Sequence, residues 1–185
     1  EFLPRGYDLF IYDYRGYGKS KGDLSESAFY QDTELIYKHL RKQYQPDDII
    51  IYGRSLGSAM ATYLATNVPC RKLILETPFS SVQDLFHAYY PFLPRIFFFR
   101  FKFNNKKYIQ EVKAPVIIFQ GTNDWIVPYS CAEKLKPFLK EEDRFITIEG
   151  GNHNNLARSA KYQRELHNIL STKVPDEDKR VQEAQ

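Results

Sequence analysis

Three short stretches of the chain carry side chains suited to nucleophilic acyl chemistry. The first is Gly53-Arg54-Ser55-Leu56-Gly57, a G-x-S-x-G directly after the apolar run IIIY and directly before SAMATYLAT. A tight strand-to-helix turn of this kind lifts the serine hydroxyl above the sheet, with glycines where a Cβ would clash. The N-terminus of the following helix favours developing negative charge, and the Leu56 N–H can donate to an oxyanion. Composition alone yields such a pentapeptide in about one chain of this length in twenty, so the strand-before, helix-after context decides. The alternative is a structural turn whose serine caps the helix.

A serine hydroxyl needs a base, and the base an orienting acid. His39 and His167 fall within expected helices, and His87 within an aromatic insertion. His153 differs, because GGNHNN follows the last expected strand as a turn from which an imidazole can reach over the sheet's carboxyl edge. For the acid, Asp124 in GTNDWIVP follows the strand VIIFQ and emerges at that edge, whereas an Asx-type turn is its structural alternative. Glu76, closing LILE, is a second candidate. A phosphate-binding reading of DYRGYGKS fails, because the P-loop spacing requires glycine where Asp13 stands and no helix follows Ser20.

These residues need a scaffold that brings strand ends together. Strands are expected over Asp8–Tyr14, Asp48–Tyr52, Lys72–Leu75, Val116–Gln120 and Arg144–Ile148, alternating with helices over Ser27–Tyr44, Ser55–Thr66, Ser130–Leu139 and Leu156–Leu170. In the first helix the apolar stripe is read as Ala28, Leu35, Ile36, His39 and Leu40. The alternation predicts an α/β fold, a mostly parallel sheet flanked by helices over residues 1–170, with a polar tail over 171–185.

The 185 residues are 43% hydrophobic and 26% charged with net charge +3, the composition of an ordinary globular domain and no basis for nucleic-acid binding. Cys70 and Cys131 are too few for a disulfide scaffold. No apolar run approaches the roughly 20 residues of a membrane-spanning helix. One segment breaks the alternation. From about Phe79 to Tyr108 the chain is too long for a plain connection, and between Asp84 and Glu111 it holds five bases, ten aromatic residues and no acid. Taking those five charges from the net +3 leaves −2 for the remainder.

In chain order, DYRGYGKS, GRSLG, ETPFSS, GTNDWIVP and GGNHN resemble the α/β-hydrolase superfamily, especially its serine-aminopeptidase, monoacylglycerol-lipase and protein-depalmitoylase-like members. The resemblance covers about Tyr7 to Leu170. It implies Ser55 as nucleophile, Asp124 as orienting acid, His153 as general base and Leu56 as one oxyanion donor, with no metal or organic cofactor. It also implies a second oxyanion donor from a loop that has no counterpart before Tyr7, so the expectation is a chain lacking the N-terminal strands of the complete fold. The expected activity is cleavage of carboxylic esters or thioesters of a small-molecule or lipid substrate. The aromatic insertion would form a short lid whose Phe97 and Phe98, with Trp125 from the acid loop, hold the acyl group and whose bases make peripheral membrane contact. Two alternatives stay open: the insertion's aromatics form a secondary core, or the chain is a non-catalytic module binding a membrane surface or protein partner through its basic lid.

Overall fold

The computed structural model describes residues 2–94 and 99–171. Its centre is a sheet of four parallel strands in sequence order, β1 (Ile50–Arg54), β2 (Lys72–Glu76), β3 (Val116–Gly121) and β4 (Arg144–Ile148). The two inner strands are buried along their whole length, and the outer two are buried only in part. This is why LIL and VIIF read as continuous apolar runs. Helices cover both faces, which a parallel sheet requires because each crossover must return along one face.

Side-chain alternation along the strands divides the core in two. Leu73, Leu75, Val116 and Ile118 join Ile51, Leu64 and Leu135 on the face covered by α1 (Glu26–Leu40) and α2 (Gly57–Asn67). Ile74, Ile117 and Phe119 join Ile146, Ile148, Tyr162 and Leu166 on the face covered by α6 (Ala160–Ser171). A third cluster forms where α1 and α2 meet the segment after β2, with Phe29, Tyr30, Met60, Phe79 and Phe103 at its centre. Much of the chain's aromatic content lies there, including the Tyr30–Tyr63 stack at 3.9 Å. That segment contains α3 (Val82–Tyr89) and α4 (Asn105–Ile109), and α4 packs on α2. Helix α5 (Tyr129–Glu133) follows β3. Among the described residues no helix is long and apolar enough to cross a membrane.

Four expectations need correction. Asp8–Tyr14 forms no strand. Strand propensity needs a ladder partner to take effect, and among the described residues β1 is paired only with β2, while Leu9, Phe10 and Ile11 stand exposed. The buried stripe of α1 is Ala28, Phe29, Tyr30, Thr33 and Tyr37, with Leu35 and His39 exposed. The tyrosines prevail because their rings enter the core while their hydroxyls find acceptors, Tyr30 on Glu26 and Tyr37 on the Pro69 carbonyl. The helix expected over Ser130–Leu139 stops at Glu133, and Pro137 sits in a separate 3-10 turn, Lys136–Phe138. The helix expected from Leu156 is also divided, a 3-10 turn over Leu156–Arg158 preceding α6. The expected polar tail beyond Ser171 lies outside the described residues.

Candidate active site

Because all four strands run parallel, the loops after β1, β3 and β4 leave the same edge of the sheet. Ser55, Asp124 and His153 lie on those three loops.

The Ser55 turn is as tight as its glycines imply. Ser55 has φ of 51°, a left-handed conformation that costs a residue with a Cβ on the order of 1–2 kcal/mol. Its N–H donates to the Glu76 carbonyl at 2.9 Å, so the β1–β2 ladder is held up to the turn itself. A Cβ on Gly53 would lie 2.5 Å from the Ala61 Cβ and 2.6 Å from the Gly57 carbonyl oxygen, and one on Gly57 would lie 2.9 Å from the Tyr14 hydroxyl. Gly53 is therefore a steric requirement of the turn, whereas at Gly57 the one group met is the far end of the Tyr14 side chain. Leu56 is the N-cap of α2, so its N–H is among those a helix leaves without an intrahelical acceptor.

Asp124 and His153 are brought together. The His153 Nδ1 lies 2.9 Å from Asp124 Oδ2 and 3.1 Å from Oδ1, and both residues are buried. An ionised carboxylate only accepts, so Nδ1 carries the proton and Nε2 presents its lone pair. Asp124 is fixed in turn. Its Oδ1 accepts from the backbone N–H groups of Ile126 at 2.9 Å and Val127 at 2.8 Å, and its Oδ2 accepts from Gln120 Nε2 at 3.3 Å. The Asx-type turn weighed against a chemical role is thus present together with the histidine contact, one oxygen serving mainly the backbone and the other the imidazole.

The acid and histidine loops are laced to each other. Asn123 N–H donates to the Gly151 carbonyl, Thr122 N–H to the Ile148 carbonyl, and Gly150 N–H to the Thr122 hydroxyl. Gly121 permits this approach, since a Cβ there would sit 2.2 Å from the Gly151 carbonyl oxygen. Asn152 and Asn155 brace the histidine turn through their side-chain oxygens, which accept from Asn154 N–H and Asn152 N–H.

Glu76, the other candidate acid, serves elsewhere. Its Oε2 accepts from the hydroxyls of Tyr52 at 2.6 Å and Tyr162 at 2.7 Å, and its Oε1 from Arg54 Nε at 3.2 Å. Trp125 projects from the acid loop and is 73% exposed, and the Tyr89 hydroxyl from α3 donates to the carbonyls of Trp125 and Ile126. Phe97 and Phe98 lie outside the described residues. Gln120 escaped the sequence reading. Its one signal is an amide in an otherwise apolar strand end, where a fully buried amide must have a polar partner.

A family model described as serine aminopeptidase, S33, matches residues 1–107, which include the Ser55 turn but not Asp124 or His153. An uncharacterized protein of Mycobacterium tuberculosis is 33% identical over 152 residues, 81% of this chain and 54% of that protein. The alpha/beta hydrolase domain-containing protein 17C of Xenopus tropicalis is 30% identical over 171 residues, 91% of this chain and 54% of that protein. The chain thus spans about half the length of the curated relatives it matches. Among solved structures, the esterase domain of a Rhodothermus marinus protein superposes with a TM-score of 0.58 at 17% identity, covering 81% of this chain and 69% of that one. The monoacylglycerol lipase of Paleococcus ferrophilus gives 0.57 at 16% identity, covering 85% and 79%. At such identities these two likenesses bear on the fold alone. With a family match over more than half its residues, a parallel sheet wrapped by helices and a serine at the elbow after β1, the chain belongs to the serine aminopeptidase S33 family of the α/β-hydrolase superfamily.

Proposed function

We propose that the protein is a serine hydrolase that cleaves carboxylic esters or thioesters through an acyl-enzyme on Ser55. The observation that carries this reading is the 2.9 Å contact of His153 Nδ1 with a buried, triply braced Asp124 at the sheet edge that also bears Ser55. A histidine held in one tautomer by a buried carboxylate is organised for proton transfer, and a surface turn needs no such device. In the reaction, His153 Nε2 takes the Ser55 proton as the hydroxyl oxygen attacks the substrate carbonyl. The Leu56 N–H donates to the resulting oxyanion, and the imidazolium returns the proton to the departing alcohol or thiol. Water then attacks the acyl-serine, with His153 again as base, releasing the acid and restoring Ser55.

The choice of ester over peptide rests on the rim. Tyr89, Tyr90, Phe92, Leu93 and Trp125 are exposed, and Tyr89 is hydrogen-bonded to the acid loop itself. An apolar rim suits an acyl chain, whereas a free amino terminus would require acids that residues 85–110 do not contain. Trp125 is assigned to acyl contact on this basis. The test is hydrolysis of a p-nitrophenyl ester series by the full-length protein. Turnover that rises from acetyl to longer acyl groups and is lost in Ser55→Ala supports the reading. Turnover unaffected by that substitution refutes it, and a preference for acetyl refutes the acyl rim.

A further inference from the structure

The residue between Gly53 and Ser55 in the elbow is an arginine, and nothing in the triad chemistry requires one. Arg54 closes β1, and its guanidinium reaches three groups that the chain supplies from far away. Nε donates to Glu76 Oε1 at 3.2 Å, while Nη2 donates to the main-chain carbonyl of His153 and to Asn154 Oδ1 at 2.7 Å. Glu76 is the anchor. Its carboxylate is buried at the end of β2, and the hydroxyls of Tyr52 from β1 and Tyr162 from α6 both donate to its other oxygen. A buried carboxylate is tolerated only when donors surround it, and here the third is Arg54. The planar fork is suited to this bridge, because one edge can serve the carboxylate as another nitrogen serves the carbonyl, whereas an ammonium presents a point charge.

Resting on the reading of Ser55, Asp124 and His153 as a triad, we propose that Arg54 is the positioning residue that holds His153 over Ser55, with Glu76 as its buried mooring. Asp124 sets the rotation of the imidazole through Nδ1, but it lies on the β3 loop and does not fix the distance from the histidine turn to the β1–α2 turn. Arg54 does, since it is bonded covalently to Ser55 and hydrogen-bonded to the His153 carbonyl. Without it the turn from Gly150 to Asn155 keeps its links to the β3 loop and loses its side-chain tie to the serine side of the site.

The experiment measures the rate at which a fluorophosphonate labels the full-length protein, since this needs Ser55 activated by His153 but no natural substrate. Arg54→Ala slows labelling by about 100-fold, the scale expected when reacting groups are displaced by about 1 Å. Millimolar methylguanidinium restores the rate and methylammonium at the same concentration does not, a selectivity that a purely structural role would not give. In ester hydrolysis the same variant loses kcat while KM holds. Arg54→Met keeps the aliphatic stem without the donors, so it preserves packing and slows labelling as much as Arg54→Ala. Either variant labelling at the parental rate overturns the proposal, as does a slow Arg54→Ala indifferent to methylguanidinium. A parent protein that does not label at all instead refutes the hydrolase reading on which the proposal rests.

Discussion

The loops at the sheet's carboxyl edge and the segment between β2 and β3, which carries α3 and α4, are built on opposite principles. At the edge, Asp124, Gln120 and His153 are buried, Asp124 is hydrogen-bonded to each of the other two, and the loops around them are joined by backbone hydrogen bonds. The inserted segment is anchored to the core at its base. Phe79 and Phe103 are core residues, and Asp84 gathers Lys106 at 2.5 Å, Lys134 at 3.0 Å and the hydroxyls of Ser80 and Ser81. Farther along, Tyr90 and Phe92 project into solvent, Phe92 at 97% exposure. On the proposed function, the difference separates pre-organised chemistry, which cannot tolerate displacement, from apolar contact, which can adapt to its ligand. Among the described residues, Phe79 and Phe103 at the insertion's base are core, and Tyr90 and Phe92, just after α3, are exposed.

Substitutions at the two regions should therefore fail in different ways. Ser55→Ala is expected to lower ester turnover by about 10⁴-fold or more with an unchanged unfolding midpoint. Asp124→Asn should lower kcat by about 10³- to 10⁴-fold, because the amide can still accept from Ile126 and Val127 but no longer holds the Nδ1–H tautomer as an anion does. A comparable loss of stability would show that Asp124 is chiefly a turn residue.

At the insertion's base the expected loss is in stability. Burial pushes the Asp84 carboxyl up, but hydrogen bonds from Lys106, Lys134, Ser81 and Ser80 outweigh it and hold the group well below the usual carboxylate range. Asp84→Asn should cost about 2 kcal/mol at neutral pH, less than the 3–5 of a fully buried pair because both lysines reach solvent. The sign follows from the depressed folded-state pKa. The carboxylate's contribution is complete above the unfolded value near about 4 and is lost as pH falls through the folded one. Unfolding midpoints of parent and variant should therefore differ most at neutral pH and converge in acid, while kcat at pH 7 stays the same. The smallest effects belong to the rim. Phe92→Ala and Trp125→Ala are each expected to raise KM for long acyl esters by about fivefold, about 1 kcal/mol of apolar contact, and to leave acetyl esters unchanged.

What the sequence disclosed follows the same division. The strand interiors were legible because β2 and β3 are covered on both faces and leave uninterrupted apolar runs. The turn at Ser55 was legible because the steric demand at Gly53 is local, set by the nearby Gly57 and Ala61. Asp8–Tyr14 misled because a run of apolar and aromatic residues encodes a preference, and a strand needs a neighbour. The face of α1 misled because tyrosine can bury its ring and still satisfy its hydroxyl. Gln120 and Arg54 were invisible for a different reason. Their partners are distant or depend on loop geometry, Arg54 reaching a carbonyl 99 residues away, and no local pattern announces such a contact.

The central claim is that Ser55 is the group activated at this edge. It is tested most directly by treating the full-length protein with a fluorophosphonate and locating the adduct by peptide mass spectrometry. The account predicts one stoichiometric adduct on Ser55, absent after denaturation before treatment and strongly slowed in His153→Ala. A folded protein that remains unmodified, or is modified at another serine, would contradict it.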